Sequence, residues 1–181
     1  RRGFDARHPA IQGGIRFLLG EQEENGSWYG RWGVNYIYGT FLALRGLQAT
    51  GDIAARNAIQ KGAAWLQSVQ NPDGGWGESC ASYQVERFVR AESTPSQTAW
   101  ALLGLMAAGE QNSAAVSKGI RYLLDTQRPD GTWGEELATG TGFPNVFYLN
   151  YHMYRNYFPL LALATWRKLN QPEAAPMGWI G

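Results

Sequence analysis

Phe147, Tyr151, Tyr154 and Phe158 recur at i, i+4, i+7 and i+11, a spacing that places four rings on one narrow stripe of a helix. Phe143 extends the stripe, with Pro144 making it the last residue before that helix. An aromatic face carries a negative quadrupole, and a cation resting on it gains about 2 kcal/mol when the contact is desolvated. A cluster of such faces can hold a reactive cation without offering the base or water that would quench it. On spacing alone the stripe reads only as a buried helix face.

The other side chains with chemical potential are scattered. The five aspartates, Asp5, Asp52, Asp73, Asp125 and Asp130, stand no closer together than five residues. Asp73 and Asp130 fall in Gly-rich turns, where the carboxylate commonly caps its own backbone. Cys80, His8 and His152 are isolated, whereas zinc requires three or four converging ligands. Neither a metal nor a cofactor is therefore expected. Ser93 and Ser96 have no His-bearing motif nearby, so nucleophilic catalysis is unsupported. Glu21, Glu23 and Glu24 have the pattern of a solvated helix end.

The elements that must position these residues are announced by an internal repeat. Eight Trp and 23 Gly in 181 residues combine large buried rings with many tight turns. Three segments match in register, at about residues 14–28, 62–76 and 119–133. In each, a Gly (Gly14, Gly62, Gly119) leads to an aromatic residue three positions on (Phe17, Trp65, Tyr122). Gln22, Gln70 and Gln127 follow eight positions after the Gly, and Trp28, Trp76 and Trp133 fourteen after it. Between the copies, the segment from Thr40 to Leu47 parallels that from Thr98 to Leu105, with Gly51 and Gly109 placed as helix stops. A looser version surrounds Pro159 to Leu163. Each repeat thus alternates an amphipathic outer helix with a nearly apolar, buried one. The pattern predicts six helices, about 9–22, 36–50, 54–70, 95–109, 113–127 and 145–168, with no convincing strand. The fold class is all-α, and residues 1–181 read as a single unit.

The Gly-x-x-aromatic, Gln, Gly-x-Trp pattern resembles the QW motif of triterpene cyclases, most closely in Gln70-Asn71-Pro72-Asp73-Gly74-Gly75-Trp76-Gly77-Glu78 and from Gln127 to Glu135. The segments from Gly30 to Thr40 and from Gly140 to Leu149 resemble the bacterial squalene–hopene cyclases, and the likeness runs from about Gly13 to Trp166. It implies an α/α barrel, of which about three helix pairs would be half of a six-pair ring. It also implies a chain that ends a much longer enzyme. The QW residues Gln22, Trp28, Gln70, Trp76, Gln127 and Trp133 are then structural, the Trp stacking on the Gln amide and the following helix end. By the same resemblance Phe143, Phe147, Tyr151 and Tyr154 line the cavity and stabilise intermediate cations, while Phe158 stays in the core. Trp32 would offer a face to the early ring cations. Tyr38 would sit near the initiating acid. Without the resemblance, Trp32 reads as packing and Tyr38 as a satisfied core hydroxyl. The family's Asp-x-Asp-Asp acid motif does not occur here, so no residue of this chain is assigned as catalytic.

Composition limits partners. The formal net charge of +1 gives no electrostatic reason to expect nucleic acid. One cysteine excludes an intrachain disulfide. The apolar run from Ala99 to Gly109 is far short of the ~20 residues that cross a bilayer. The opening residues, from Arg1 to Asp5, are not followed by the apolar stretch of a secretory signal. The resemblance implies squalene or a related polyprenoid as substrate, the missing N-terminal part of the same enzyme as partner, and a monotopic seat on the cytoplasmic side of a bacterial membrane. The apolar edges of a half-ring call for association, a homodimer included. Two other readings stand beside the cyclase: a non-catalytic α/α repeat binding a lipid or protein, and a protein prenyltransferase subunit, which would need an Asp/Cys/His zinc site.

Overall fold

The computed structural model describes residues 6–171. Residues 1–5 and 172–181 lie outside the described part, and with them Asp5, the opening stretch and both ends of the single unit. Among the described residues the helices are seven: α1 (Pro9–Gly20), α2 (Tyr36–Thr50), α3 (Arg56–Ser68), α4 (Ser82–Val85), α5 (Pro95–Ala107), α6 (Ala114–Thr126) and α7 (Tyr154–Asn170). A 3₁₀ turn, Ile53–Ala55, leads into α3.

The inner layer is α2, α5 and α7, with α5 packed between the other two. Every residue of α5 from Pro95 to Met106 is buried, as an all-round apolar sequence requires. The outer helices are amphipathic. α1 packs on α2, α3 on both α2 and α5, and α6 on α5. The buried residues of α3 (Ala58, Ile59, Gly62, Ala63, Trp65, Leu66) recur on one helical face.

Local signals explain the helix starts. Thr94 accepts a bond from the Gln97 backbone N–H, with Pro95 at the first helical position of α5. Ser113 caps α6 through Val116, and Asp52 caps the 3₁₀ turn through Ala54. Gly51 and Gly109 stop α2 and α5 at positive φ.

The expectation of six helices and no strand is corrected at two places: the short α4 was not expected, and the last helix is shorter and preceded by strands. The final helix begins at Tyr154 rather than 145, and the residues before it form an antiparallel hairpin of β1 (Gly140–Phe143) and β2 (Phe147–Leu149). Gly140 pairs with Leu149, Thr141 with Tyr148 and Phe143 with Phe147, with an irregularity between Thr141 and Phe143. The Val146 N–H donates to the Phe143 carbonyl at 3.0 Å, and Asn145 has φ 65°. Pro followed by a positive-φ Asn suits the central positions of a β-turn, and this overrides the role of Pro144 as a helix start. Phe143 and Phe147 therefore lie on strands and Tyr151 in the turn before α7. The four-ring helical stripe reduces to Tyr154 and Phe158.

Candidate aromatic site and its supporting turns

The three Gln–Gly–Trp turns share one geometry. Gly26, Gly74 and Gly131 adopt φ of 95°, 89° and 83°, a region that only glycine enters cheaply. The Gln side chain folds over that turn, its Nε2 donating to the glycine carbonyl at 2.9 Å (Gln22 to Gly26), 2.8 Å (Gln70 to Gly74) and 2.9 Å (Gln127 to Gly131). The indole N–H of Trp28, Trp76 and Trp133 donates to the carbonyl of Leu18, Leu66 and Leu123, at 2.6, 2.7 and 2.8 Å. Each of those carbonyls lies in the outer helix preceding the turn, so the ring ties helix to turn. Gln22 and Gln70 also donate to Ala58 and Ala115 of the next outer helix, both at 2.9 Å.

The Trp–Gly–Glu ending has a second function. Glu78 is buried and accepts from the backbone N–H groups of Asn35, Tyr36 and Ile37 at 2.9–3.0 Å. These are orphan donors at the start of α2, whose cap residue Asn35 makes no side-chain capping bond. Glu135 repeats the arrangement at α5, accepting from the backbone N–H and hydroxyl of Ser96 and from Thr139. Burial pushes both carboxyls up, and the donated hydrogen bonds oppose it.

The turns and caps fix inner helices whose rings form a wall. Trp100 on α5 is wholly buried and stands edge-on to Tyr38 (4.9 Å), Phe158 (5.5 Å) and Tyr154 (5.9 Å). Tyr154 stacks on Tyr151 at 4.6 Å, and Phe158 meets Phe41 of α2 at 6.3 Å. Helices α2, α5 and α7 thus each supply rings to one cluster. Of the residues singled out in the sequence, Tyr38, Tyr151 and Tyr154 come together here.

Phe143 and Phe147 pair with each other at 5.8 Å across the hairpin turn, and both rings are exposed. A Cβ on Gly142 would collide with the Phe147 ring, and one on Gly140 with the Tyr151 ring. Glycines of β1 thereby seat two of the candidate aromatics. The strand is anchored to the loop before α2: the Thr141 N–H donates to the Trp32 carbonyl and Val34 to the Thr139 carbonyl, both at 2.9 Å. Trp32 itself is exposed, with the Arg31 guanidinium over its ring at 5.3 Å. Trp32 and Tyr38 share an open groove of about 320 Å³ with Phe17, Leu18, Trp28 and Leu42.

Trp100 and Tyr157 belong to the cluster, although neither stands among the candidate residues of the sequence. Tyr157 lies 4.4 Å from Phe158 and 5.6 Å from Tyr154. Trp100 falls within an inner-helix copy where Leu42 stands in the parallel segment (Thr40-Phe41-Leu42 against Thr98-Ala99-Trp100), and that departure was the available signal. Among the described residues no group of three or more His, Cys, Asp or Glu gathers to hold a metal, and no helix is long and apolar enough to cross a membrane.

A family model described as the squalene-hopene cyclase C-terminal domain matches residues 1–168. A squalene–hopene cyclase of Zymomonas mobilis is 54% identical over 175 residues, covering 94% of this chain and 27% of that relative. A squalene–hopene cyclase of Alicyclobacillus acidocaldarius is 49% identical over 167 residues, and a dammaradiene synthase of the fern Dryopteris crassirhizoma 45% over 184. The chain spans about a quarter of the length of these curated relatives. Among solved structures, a type II terpene cyclase from Scytonema aligns with TM-score 0.70 at 21% identity, over 91% of this chain and 52% of that one. At that identity the likeness concerns the fold.

Proposed function

This chain belongs to the squalene–hopene cyclase C-terminal domain family, and from that premise we propose that it is the C-terminal part of a triterpene cyclase that closes squalene into a hopene-type pentacycle. The observation that carries the reading is the cluster of rings that α2, α5 and α7 gather with Tyr151, to which the β1–β2 hairpin adds a separate exposed pair, Phe143 and Phe147. Protonation of an alkene leaves a carbocation that passes from ring to ring as each new C–C bond forms, and the last cation loses a proton, to water or a base outside the residues named here, to leave the alkene of the product. Positive charge of that kind is held by quadrupoles at about 2 kcal/mol per desolvated face, and a wall built mainly of rings offers few groups to capture it.

Trp32 and Tyr38 border the groove in which the early cations would lie. Tyr151 and Tyr154 extend that wall, and Phe143 and Phe147 serve the later cations from the hairpin. The dispersed aspartates supply no paired carboxyl strong enough to protonate an alkene, so the starting proton comes from polypeptide outside this chain, and the chain alone is inactive. Squalene is drawn from a membrane, and we place the whole enzyme against the cytoplasmic face of a bacterial membrane.

Phe147→Ala in the longer native polypeptide tests the reading. Loss of one desolvated face should slow cyclisation at least tenfold and release products with fewer rings, seen by gas chromatography. Unchanged rate and products would make Phe147 mere packing and favour a repeat that only binds lipid.

A further inference from the structure

The link from each turn tryptophan to the next inner helix is spanned by one hydrogen bond. The Trp28 N–H donates to Thr40 Oγ1, 12 positions on, the Trp76 N–H to Thr98 Oγ1, 22 positions on, and the Trp133 N–H to Asn156 Oδ1, 23 positions on. The second and third links are therefore longer than the first. In the third the extra length is the β1–β2 hairpin, and in the second it is an excursion from Glu78 to Arg90 that carries α4. This excursion is a closed loop. Glu78 and Arg90 bridge at its neck, the Ser79 N–H donates to the Val89 carbonyl at 2.8 Å, and the Arg90 guanidinium donates to the Val69 and Gln70 carbonyls after α3.

From that loop Tyr83 reaches the first link. Its hydroxyl lies 2.9 Å from the Gly33 carbonyl and 3.2 Å from the Arg31 carbonyl, one on each side of Trp32. A phenol has one proton to donate, and the two carbonyls share it. Burial pushes this phenol well up, so it remains protonated and a donor far into the alkaline range. The third link holds the Tyr83 ring in turn. It stacks on Tyr148 of β2 at 6.0 Å, and the Cys80 thiol donates to the Ala138 carbonyl at 3.6 Å.

Trp32 depends on such anchors. Its indole is 49% exposed and sits on a loop, so packing fixes it weakly and its backbone must set its direction. The Trp32 carbonyl accepts from the Thr141 N–H at 2.9 Å. Three consecutive carbonyls are thus tied down, two of them by one hydroxyl. We propose that Tyr83 is the positioning residue of Trp32: its hydroxyl sets the backbone on both sides of that indole and so the attitude of the ring on the groove. For its bearing on cyclisation this rests on the reading above, in which Trp32 faces the early cations.

The test uses the longer native polypeptide labelled with 5-fluorotryptophan and carrying Tyr83→Phe, which removes the hydroxyl and keeps the ring on Tyr148. Loss of one fluorine line in Trp32→Phe identifies the Trp32 signal. Tyr83→Phe should move or split that line and leave the other tryptophan lines in place. With squalene it should raise the ratio of incompletely cyclised to pentacyclic product about fivefold, the scale of one ordinary hydrogen bond. In a Trp32→Phe background it should add nothing. An unmoved Trp32 line would overturn the proposal, as would unchanged products from Tyr83→Phe where Trp32→Phe alters them. A product change of equal size in both backgrounds would also overturn it, because the effect would not pass through Trp32. The fluorine lines are read without substrate. If the Trp32 line moves while all three proteins give identical products, the positioning stands and the proposed role of Trp32 falls.

Discussion

Trp100 touches Tyr38, Tyr154 and Phe158 at once, so its ring sets the attitude of two phenols that we assign to the substrate wall. Trp100→Ala removes a fully buried indole and should cost about 3–5 kcal/mol of stability. Trp100→Phe keeps much of the packing and is the informative variant. In the longer polypeptide it should change the ratio of cyclised products more than KM for squalene, since Trp100 itself is buried behind the wall rings it positions. A product ratio identical to that of the native protein would reduce Trp100 to core packing. The phenols also give a pH signature. Burial pushes Tyr122 and Tyr154 up to about 12, against about 10 for an exposed tyrosine. The folded state then binds these protons more tightly, so their stabilisation is whole below the unfolded pKa near 10 and lost as the pH rises through about 12. Phenolate absorbance and helical ellipticity should therefore change together within that interval; completion of the phenolate signal near pH 10 with the helices intact would contradict it.

At the level of elements, the glutamate two residues after each of the later turn tryptophans is the least obvious structural part. Glu78→Ala would strand three backbone N–H groups at the start of α2, and about 2–3 kcal/mol of stability should go with them, read as a lower denaturant midpoint. A loss within a few tenths of a kcal/mol would mean that water replaces the carboxylate there. The role of Glu78 was hidden in the sequence because the groups it satisfies lie more than forty residues earlier. Most of the helices were legible: the alternation of amphipathic and apolar segments, with Gly51 and Gly109 as stops, marks α2, α5 and α6 to within two or three residues, while the short α4 went unread. The hairpin was not. Phe147, Tyr151, Tyr154 and Phe158 keep a helical spacing by coincidence of a strand, a turn and a helix in succession, and that periodicity outweighed the turn chemistry of Pro144-Asn145. Residue identities for the candidate wall came through the resemblance. Its hub, Trp100, required the packing of α5 between α2 and α7, which a local pattern does not contain.

For the whole molecule, the described part is a stack of outer and inner helices with an exposed aromatic groove on one edge. Exposed Trp32, Phe143 and Phe147 are poor surface residues for a finished globule and good lining residues for a cavity closed by other parts of a longer chain. With the family relationship, the quarter-length coverage and the dispersed aspartates in view, we propose one division of labour, in which this chain shapes and stabilises and the acid lies elsewhere. The most direct test incubates squalene separately with this chain and with the longer native gene product, each free of the other, and analyses the hydrocarbons formed. We expect pentacyclic product from the longer protein and unreacted squalene from the chain alone. Cyclised product from the chain alone would contradict the account, because it would require a proton donor among residues to which we assign none.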